Sequence, residues 1–232
     1  MLAEATLAGD AGGRAALDQL CTRYRPPVVS FLLHRGWSPA NADDLSQDLF
    51  ARLLESRAWK RADPAKGRFR NYLLAILRHV VANQVARANA QKNGGGNNRI
   101  SLDWLCSEFN WEPAASGPDP SDEFDHAWAV RMLRCAYERV EARWNQLGRA
   151  ADFAVYRRFL PGSHHAPSYG EVAASLGVQE GAARAAVCRL RTELREALRQ
   201  EVALTVASPE DVADEMAYLR NVLAKPGLRM PD

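Results

Sequence analysis

The side chains of this 232-residue chain that could do chemistry fall into three groups, and none of them is catalytic in type. The sharpest is cationic. Counted at about 100° per residue, Arg184, Cys188, Arg191 and Arg195 share one side of a helix and flank an apolar stripe of Val187, Leu190, Leu194 and Leu198. Arginines on the exposed side of a helix can enter a major groove, where guanidinium groups reach base edges or phosphates. Arg184, nearest the helix start, is placed for a base or the adjacent phosphate; Arg191 and Arg195 are placed for phosphates, which position a protein rather than specify a sequence. A second group, residues 60–70 (KRADPAKGRFR), is a basic loop ahead of a helix that presents Asn71, Arg78, His79 and Asn83 away from its apolar face. The third is acidic: Asp43, Asp44 and Asp48, with Gln47, in the opening turns of another helix, where acids favour the helix dipole.

No catalytic constellation is present. There is no HExxH, no GxGxxG, no Walker-type GxxxxGK and no serine in a nucleophile-elbow pattern. Neighbouring acids at Asp43, Asp44 and Asp48 do not by themselves define a magnesium site, and His164-His165 reads as a surface pair. Cys21, Cys106, Cys135 and Cys188 form no CxxC and have no histidine at ligand spacing, so free thiols in a reducing compartment are expected. No metal and no cofactor is expected, and the chain reads as a non-enzyme. The first residues lack a basic stretch before an apolar run, and no apolar run approaches the roughly 18 residues of a membrane span. Cytoplasmic residence without membrane contact is the expectation.

The charge is patterned although the net is only +2. Residues 1–105 carry 15 basic and 9 acidic side chains, residues 106–145 carry 4 and 8, residues 146–201 carry 8 and 6, and residues 202–232 carry 3 and 5. Basic blocks alternate with acidic ones, as expected where only parts of a surface meet a polyanion.

The elements that must position these groups are helices, and the fold class is all-α: two helical bundles joined by a linker, the second containing a helix-turn-helix. No strand-like alternation is long enough to build a sheet. The division is residues 1–93, a linker over 94–121, residues 122–201, and an extension over 202–232. In the first block, residues 14–35 are helical around Leu17, Leu20, Tyr24, Val28, Phe31 and Leu32, with Pro26-Pro27 imposing a kink or a break. Ser38-Pro39 starts a helix carrying Leu45, Leu49 and Leu53. A long helix from about Arg70 to Asn89 follows, with Leu73, Leu77, Val80, Val81 and Gln84 on one face. Between Asn93 and Asp122 the chain carries Asn93 to Asn98 (NGGGNN), a turn-rich run from Glu112 to Asp122, and Trp104, Leu105, Phe109 and Trp111. The second block opens with Phe124, Trp128, Met132, Leu133, Ala136, Tyr137, Val140, Trp144 and Leu147, then a short helix anchored by Phe153, Tyr156, Phe159 and Leu160 and ended by Pro161-Gly162.

Residues 168–201 carry the helix-turn-helix signature. Ser168 and Glu171 form a capping box, Val172, Ala173 and Leu176 give a buried side, and Gly177 supplies the positive φ of a tight turn. A second helix begins near Gln179, and Ala173, Ala174, Ala182 and Ala183 are small residues suited to a close crossing. In the extension, Ser208 to Asp211 starts a further amphipathic helix with Val212, Met216, Leu219 and Leu223. It either caps the second core or uses Glu210, Asp211, Asp214 and Glu215 to shield a basic surface or dock a regulator.

These blocks resemble the bacterial RNA polymerase sigma factors of the sigma-70 superfamily, in their compact extracytoplasmic-function form. The likeness rests on Asn41 to Phe50 (NADDLSQDLF), Lys66 to Leu74 (KGRFRNYLL) with the helix after it, and Ser168 to Gly177 (SYGEVAASLG) with its following helix. It covers about residues 14–92 and 122–201. The resemblance implies that Asn41, Asp43, Asp44, Gln47 and Asp48 dock on core RNA polymerase, with Asn41 standing where the family usually has aspartate. It implies that Arg68, Phe69, Arg70 and Asn71 hold the separated nontemplate strand of promoter DNA, while Arg78, His79, Asn83 and Arg87 face the downstream promoter element. A positive track with an aromatic face suits unstacked bases, although Phe69 reads equally as a core anchor. The upstream duplex would be met by Gln179, Glu180, Arg184, Cys188, Arg191 and Arg195, with Ala185 and Ala186 where the family often has a serine and a basic residue. An anti-sigma or other regulatory protein is a further partner that such a resemblance admits. The rival readings are a duplex-DNA regulator that never engages polymerase and a protein-interaction module. Charge reversal at Asp44 and Asp48 separates the first rival: polymerase co-purification should fall while duplex-DNA binding is largely kept.

Overall fold

The computed structural model describes residues 10–55, 68–92, 121–163, 166–206 and 208–225. Within them the chain forms eight α-helices and a single 3-10 turn: α1 (Asp10–His34), α2 (Pro39–Glu55), α3 (Phe69–Lys92), α4 (Ser121–Gln146), α5 (Ala150–Tyr156) continuing into the turn Arg157–Phe159, α6 (Tyr169–Leu176), α7 (Glu180–Ala203) and α8 (Asp211–Leu223). The architecture is all-α, with α1 to α3 in one cluster and α4 to α8 in another. The anticipated linker lies almost wholly outside the described residues, as do most of the basic loop before α3 and the pair His164-His165.

Each cluster is built on four-residue spacing. In α1, Leu20, Tyr24, Val28, Phe31 and Leu32 are buried; in α4, Phe124, Trp128, Met132, Ala136, Val140 and Trp144 are buried at every fourth position. Residues four apart stack on one face of a helix, so both stripes are continuous. The two stripes meet. α1 and α4 make the most extensive helix–helix contact among the described residues, with Phe31 edge-on to Phe124 at 6.3 Å. The apolar core therefore runs unbroken from one cluster into the other.

That packing bears on Pro26-Pro27, where the sequence leaves a kink or a break open. α1 runs through both prolines as one helix. A proline in a helix interior costs about 3 kcal/mol or more, and the buried side chains on either side of the pair, Tyr24 and Val28 nearest, hold the helix against that cost. On α2, Ser38 caps the start, its Oγ accepting from the Asn41 N–H at 3.3 Å, with Pro39 at the first helical position. On α3 the buried face is wider than the sequence period indicates. Leu73, Leu77 and Val80 are buried as expected, and Phe69, Arg70, Leu74 and Ile76 join them.

In the second cluster, Trp144 packs on Phe153 and Tyr156 at 6.0 and 6.2 Å. Phe153, Tyr156, Phe159 and Leu160 are all buried, whereas Leu147, expected among the core residues, is 62% exposed. The capping box at α6 forms in both directions: Ser168 Oγ accepts from the Glu171 N–H at 3.2 Å, and the Ser168 N–H donates to Glu171 Oε2 at 2.8 Å. The Glu171 carboxyl accepts from the Ser168 N–H at 2.8 Å and from the Ser168 hydroxyl at 3.0 Å, and these two bonds hold it below its ordinary range. Gly177 closes the helix at φ 64°, while the Val178 N–H bonds back to the Ala173 carbonyl at 3.0 Å. Of the four alanines expected at the helix crossing, Ala173 and Ala183 are buried; Ala174 and Ala182 face outward. Their positions one residue away on each wheel account for the difference.

A Cβ at position 177 meets no atom within 4 Å, so only backbone strain opposes it. Gly177→Ala should lower unfolding free energy by about 1–2 kcal/mol, the usual penalty for a left-handed L-residue, in urea titration. Because Glu171 has a depressed folded-state pKa, its cap contributes above the ordinary carboxylate pKa and is lost as pH falls through the depressed value. Glu171→Ala should therefore melt below wild type at neutral pH, and the two curves should converge in acid.

Candidate nucleic-acid interface

Helix α7 sorts its residues into two faces. Ala183, Ala186, Val187, Leu190, Leu194, Ala197 and Leu198 are buried, which leaves Glu180, Arg184, Cys188, Arg191 and Arg195 on the outside with Gln179 preceding them. Gln179 caps the helix by backbone position alone, with no side-chain bond. The Arg184 guanidinium donates to Glu180 Oε1 at 2.7 Å and lies over the Tyr169 ring at 5.1 Å. Tyr169 in turn stacks on Phe159 at 4.7 Å with the rings nearly parallel. The Arg184–Glu180 pair is exposed and local, and such i,i+4 pairs are worth about 0.3–0.5 kcal/mol. A DNA acceptor could exchange with Glu180 at little cost.

Arg191 has a second task. Its Nη2 donates to the Phe159 carbonyl at 3.1 Å, tying α7 to the end of α5. Arg195 is exposed on the same side. Arg189 and Arg199 are also exposed on α7, and sequence reasoning passed over them because it followed one angular stripe. At about 100° per residue Arg199 stands roughly 20° beyond the edge of that stripe and Arg189 roughly 100° beyond it.

On α2, the buried face of Ala42, Ser46, Leu49, Phe50 and Leu53 turns Asn41, Asp44, Gln47 and Asp48 outward. Asp43 is half-buried. It pairs with Arg25 of α1 at 2.7 Å and accepts from Gln47 Nε2 at 2.8 Å. This acid thus fastens α1 to α2 while its neighbours remain accessible.

The start of α3 is arranged differently from the expected open track. Phe69 is buried, edge-on to Tyr24 at 5.1 Å, which makes it a core anchor in this conformation. Arg70 is only 3% exposed. Its Nη1 donates to Asp125 of α4 and its Nε lies 3.3 Å from Glu215 of α8. The guanidinium also stands over the rings of Trp128 at 5.1 Å and Tyr218 at 4.0 Å. Arg68, half-buried beside it, pairs with the other oxygen of Glu215. Burial alone would depress the Arg70 pKa, but the Asp125 and Glu215 carboxylates outweigh it and raise the value. Asn71, Arg78 and His79 are half-buried along α3. The backbone of Asn83 and Arg87 lies in α3, and their side chains fall outside the described set. Residues 68 to 71 are therefore not grouped on an open surface.

A second tie joins the clusters near the end of α7. Glu201, buried, accepts from Arg23 of α1 at 2.7 Å through one oxygen and from Arg139 of α4 at 2.6 Å through the other. Nearby, Tyr24 is buried, and that burial pushes its hydroxyl pKa far above the ordinary value. Among the described residues no group of three or more His, Cys, Asp or Glu could hold a metal, and no helix is long and apolar enough to cross a membrane. Cys21, Cys135 and Cys188 are free thiols.

A family model described as Sigma-70 region 2 matches residues 20–91, from the buried half of α1 through nearly all of α3. No curated protein and no solved structure matches the chain. The matched segment is the helical cluster that carries the outward acids of α2, and behind it on the same chain stands a helix-turn-helix with an arginine face. Over residues 20–91 the chain therefore carries a sigma-70 region 2 domain.

Proposed function

We propose that the chain is an extracytoplasmic-function-type sigma factor that binds bacterial core RNA polymerase, recognises promoter DNA and helps to open it. The observation that carries this reading is the region 2 match over residues 20–91, on a chain whose α7 turns arginines outward. In this reading Asn41, Asp43, Asp44, Gln47 and Asp48 meet polymerase. Arg68, Phe69, Arg70 and Asn71, with Arg78, His79, Asn83 and Arg87, meet the downstream element and its opened strand. Gln179, Glu180, Arg184, Cys188, Arg191 and Arg195 meet the upstream duplex.

The work is binding-driven. Contacts formed only with the open strand offset unstacking, which costs a few kcal/mol when a base leaves the stack. Nucleotidyl transfer belongs to the polymerase. Residues 1–93 and 122–201 act as two DNA-contacting units tethered through 94–121, and tethering raises the effective concentration of the second unit once the first is bound. The extension over 202–232 is a separate element.

Run-off transcription with purified core enzyme on a genomic fragment library tests the assignment. Discrete transcripts that require the chain are expected; a chain that binds duplex DNA yet yields none, and does not co-purify with core enzyme, is a duplex regulator instead. On a promoter so identified, Arg184→Ala should cost about 1–3 kcal/mol of duplex binding and relax preference at one base position. Arg195→Ala should weaken all sequences alike and lower the salt slope by about 1.

A further inference from the structure

Helix α8 lies outside the segment matched to region 2. It packs on α4 and α7 and buries Val212, Leu219 and Val222, which would suffice for a helix whose only task is to cover the second core. Yet it also turns an acid inward. Glu215 is 1% exposed, and its two oxygens go to Arg68 and Arg70 of the other cluster. Tyr218 completes the arrangement: its ring faces the Arg70 guanidinium, and its hydroxyl donates to Asp125 Oδ2 at 2.5 Å. Of the other described acids of the extension, Glu210 and Asp214 are exposed and half-buried Asp211 accepts from the Ser208 N–H at 3.3 Å, so Glu215 is the one turned toward these arginines.

A buried ion cluster is a poor adhesive. Desolvation of the charges consumes much of their attraction, and well-packed apolar residues of similar volume often hold as well or better. Such a cluster is selective, because it is satisfied in one register only, and its cations can be taken over by another anion of suitable shape. The groups around Arg70 are anionic oxygens and aromatic faces. An unpaired nucleic-acid strand offers the same two chemistries, in its phosphates and its bases.

The geometry points to α8 as an intramolecular latch: Glu215, with Asp125 and Tyr218, occupies Arg68 and Arg70, the arginines an opened DNA strand needs, and the strand displaces these acids when it binds. This rests on the strand-binding role given above to residues 68 to 71. The closed chain is then the resting form, with Glu201 bridging Arg23 and Arg139 as its second tie. A substitution that removes a contact made only in the closed form shifts the population toward the open one and raises apparent affinity for whatever selects it.

The test titrates a labelled, mixed-sequence single strand of about 12 nucleotides into the full chain, Glu215→Gln and Tyr218→Phe, with thermal melts reporting that each is folded. Glu215→Gln should bind about 5-fold tighter or more, within the usual range of coupling between sites. Tyr218→Phe should move the same way by less, and adding Arg70→Gln to Glu215→Gln should abolish the gain. Folded variants that bind no tighter than wild type overturn the latch. If Glu215→Gln does not fold, the Tyr218→Phe result decides alone. Core-polymerase co-purification on the same samples separates the two ideas: binding retained without a gain in strand affinity removes the latch only, whereas no polymerase binding by any of them, wild type included, removes the functional reading and the latch with it.

Discussion

An arginine taken out of water must find anions, and the arrangement of this molecule turns on how Arg70 finds them. Its position on the first turn of α3 is fixed by Phe69, whose ring is locked against Tyr24. The guanidinium cannot reach bulk solvent from there. Its partners come from 55 and 145 residues further along the chain, Asp125 on α4 and Glu215 on α8. A buried charge without such partners is costly, so burying Arg70 obliges the second cluster to sit where its carboxylates can serve.

Around this constraint α4 acts as a spine. Its stripe of Phe124, Trp128 and Met132 supplies a wall for α1, while Trp144 gathers α5 and hands its indole N–H to Glu193 of α7 at 2.9 Å. The apolar contact between α1 and α4 is generic in direction. Burial of hydrocarbon favours any register that hides the same area. The polar ties are not generic: Arg70 with Asp125 and Glu215, and Arg23 and Arg139 with Glu201, are satisfied together in one alignment. Apolar burial supplies adhesion, and the ionic pairs select the alignment.

Local rules made much of this readable in advance. Ser168 with Glu171, Gly177, Ser38-Pro39 and Pro161-Gly162 all mark boundaries because each meets a demand of the nearest few backbone groups. The leucines of α7 mark a face because the helical period is local as well. Arginine fates are another matter. The outward turn of Arg184 follows from its place on the wheel, but the burial of Arg70 was set by acids far away in sequence, which no period can register. Phe69 reads as stacking platform or core anchor until Tyr24 is seen opposite it. Pro26-Pro27 reads as a kink or a break until the packing that carries one helix through it is known. In each case a distant element decided between readings that nearby residues left open.

Helix α7 spans two mechanical environments. Its first half presents Arg184 to the outside, and its last turn is clamped by Glu201 between α1 and α4. At about 1.5 Å per residue, these points stand roughly 25 Å apart on one stiff rod. The end that would read bases is thus a lever whose fulcrum sits at the seam between the clusters. A change in tilt at the seam, too small to disturb local packing, would sweep the arginines through a larger arc than any rearrangement within the helix-turn-helix itself.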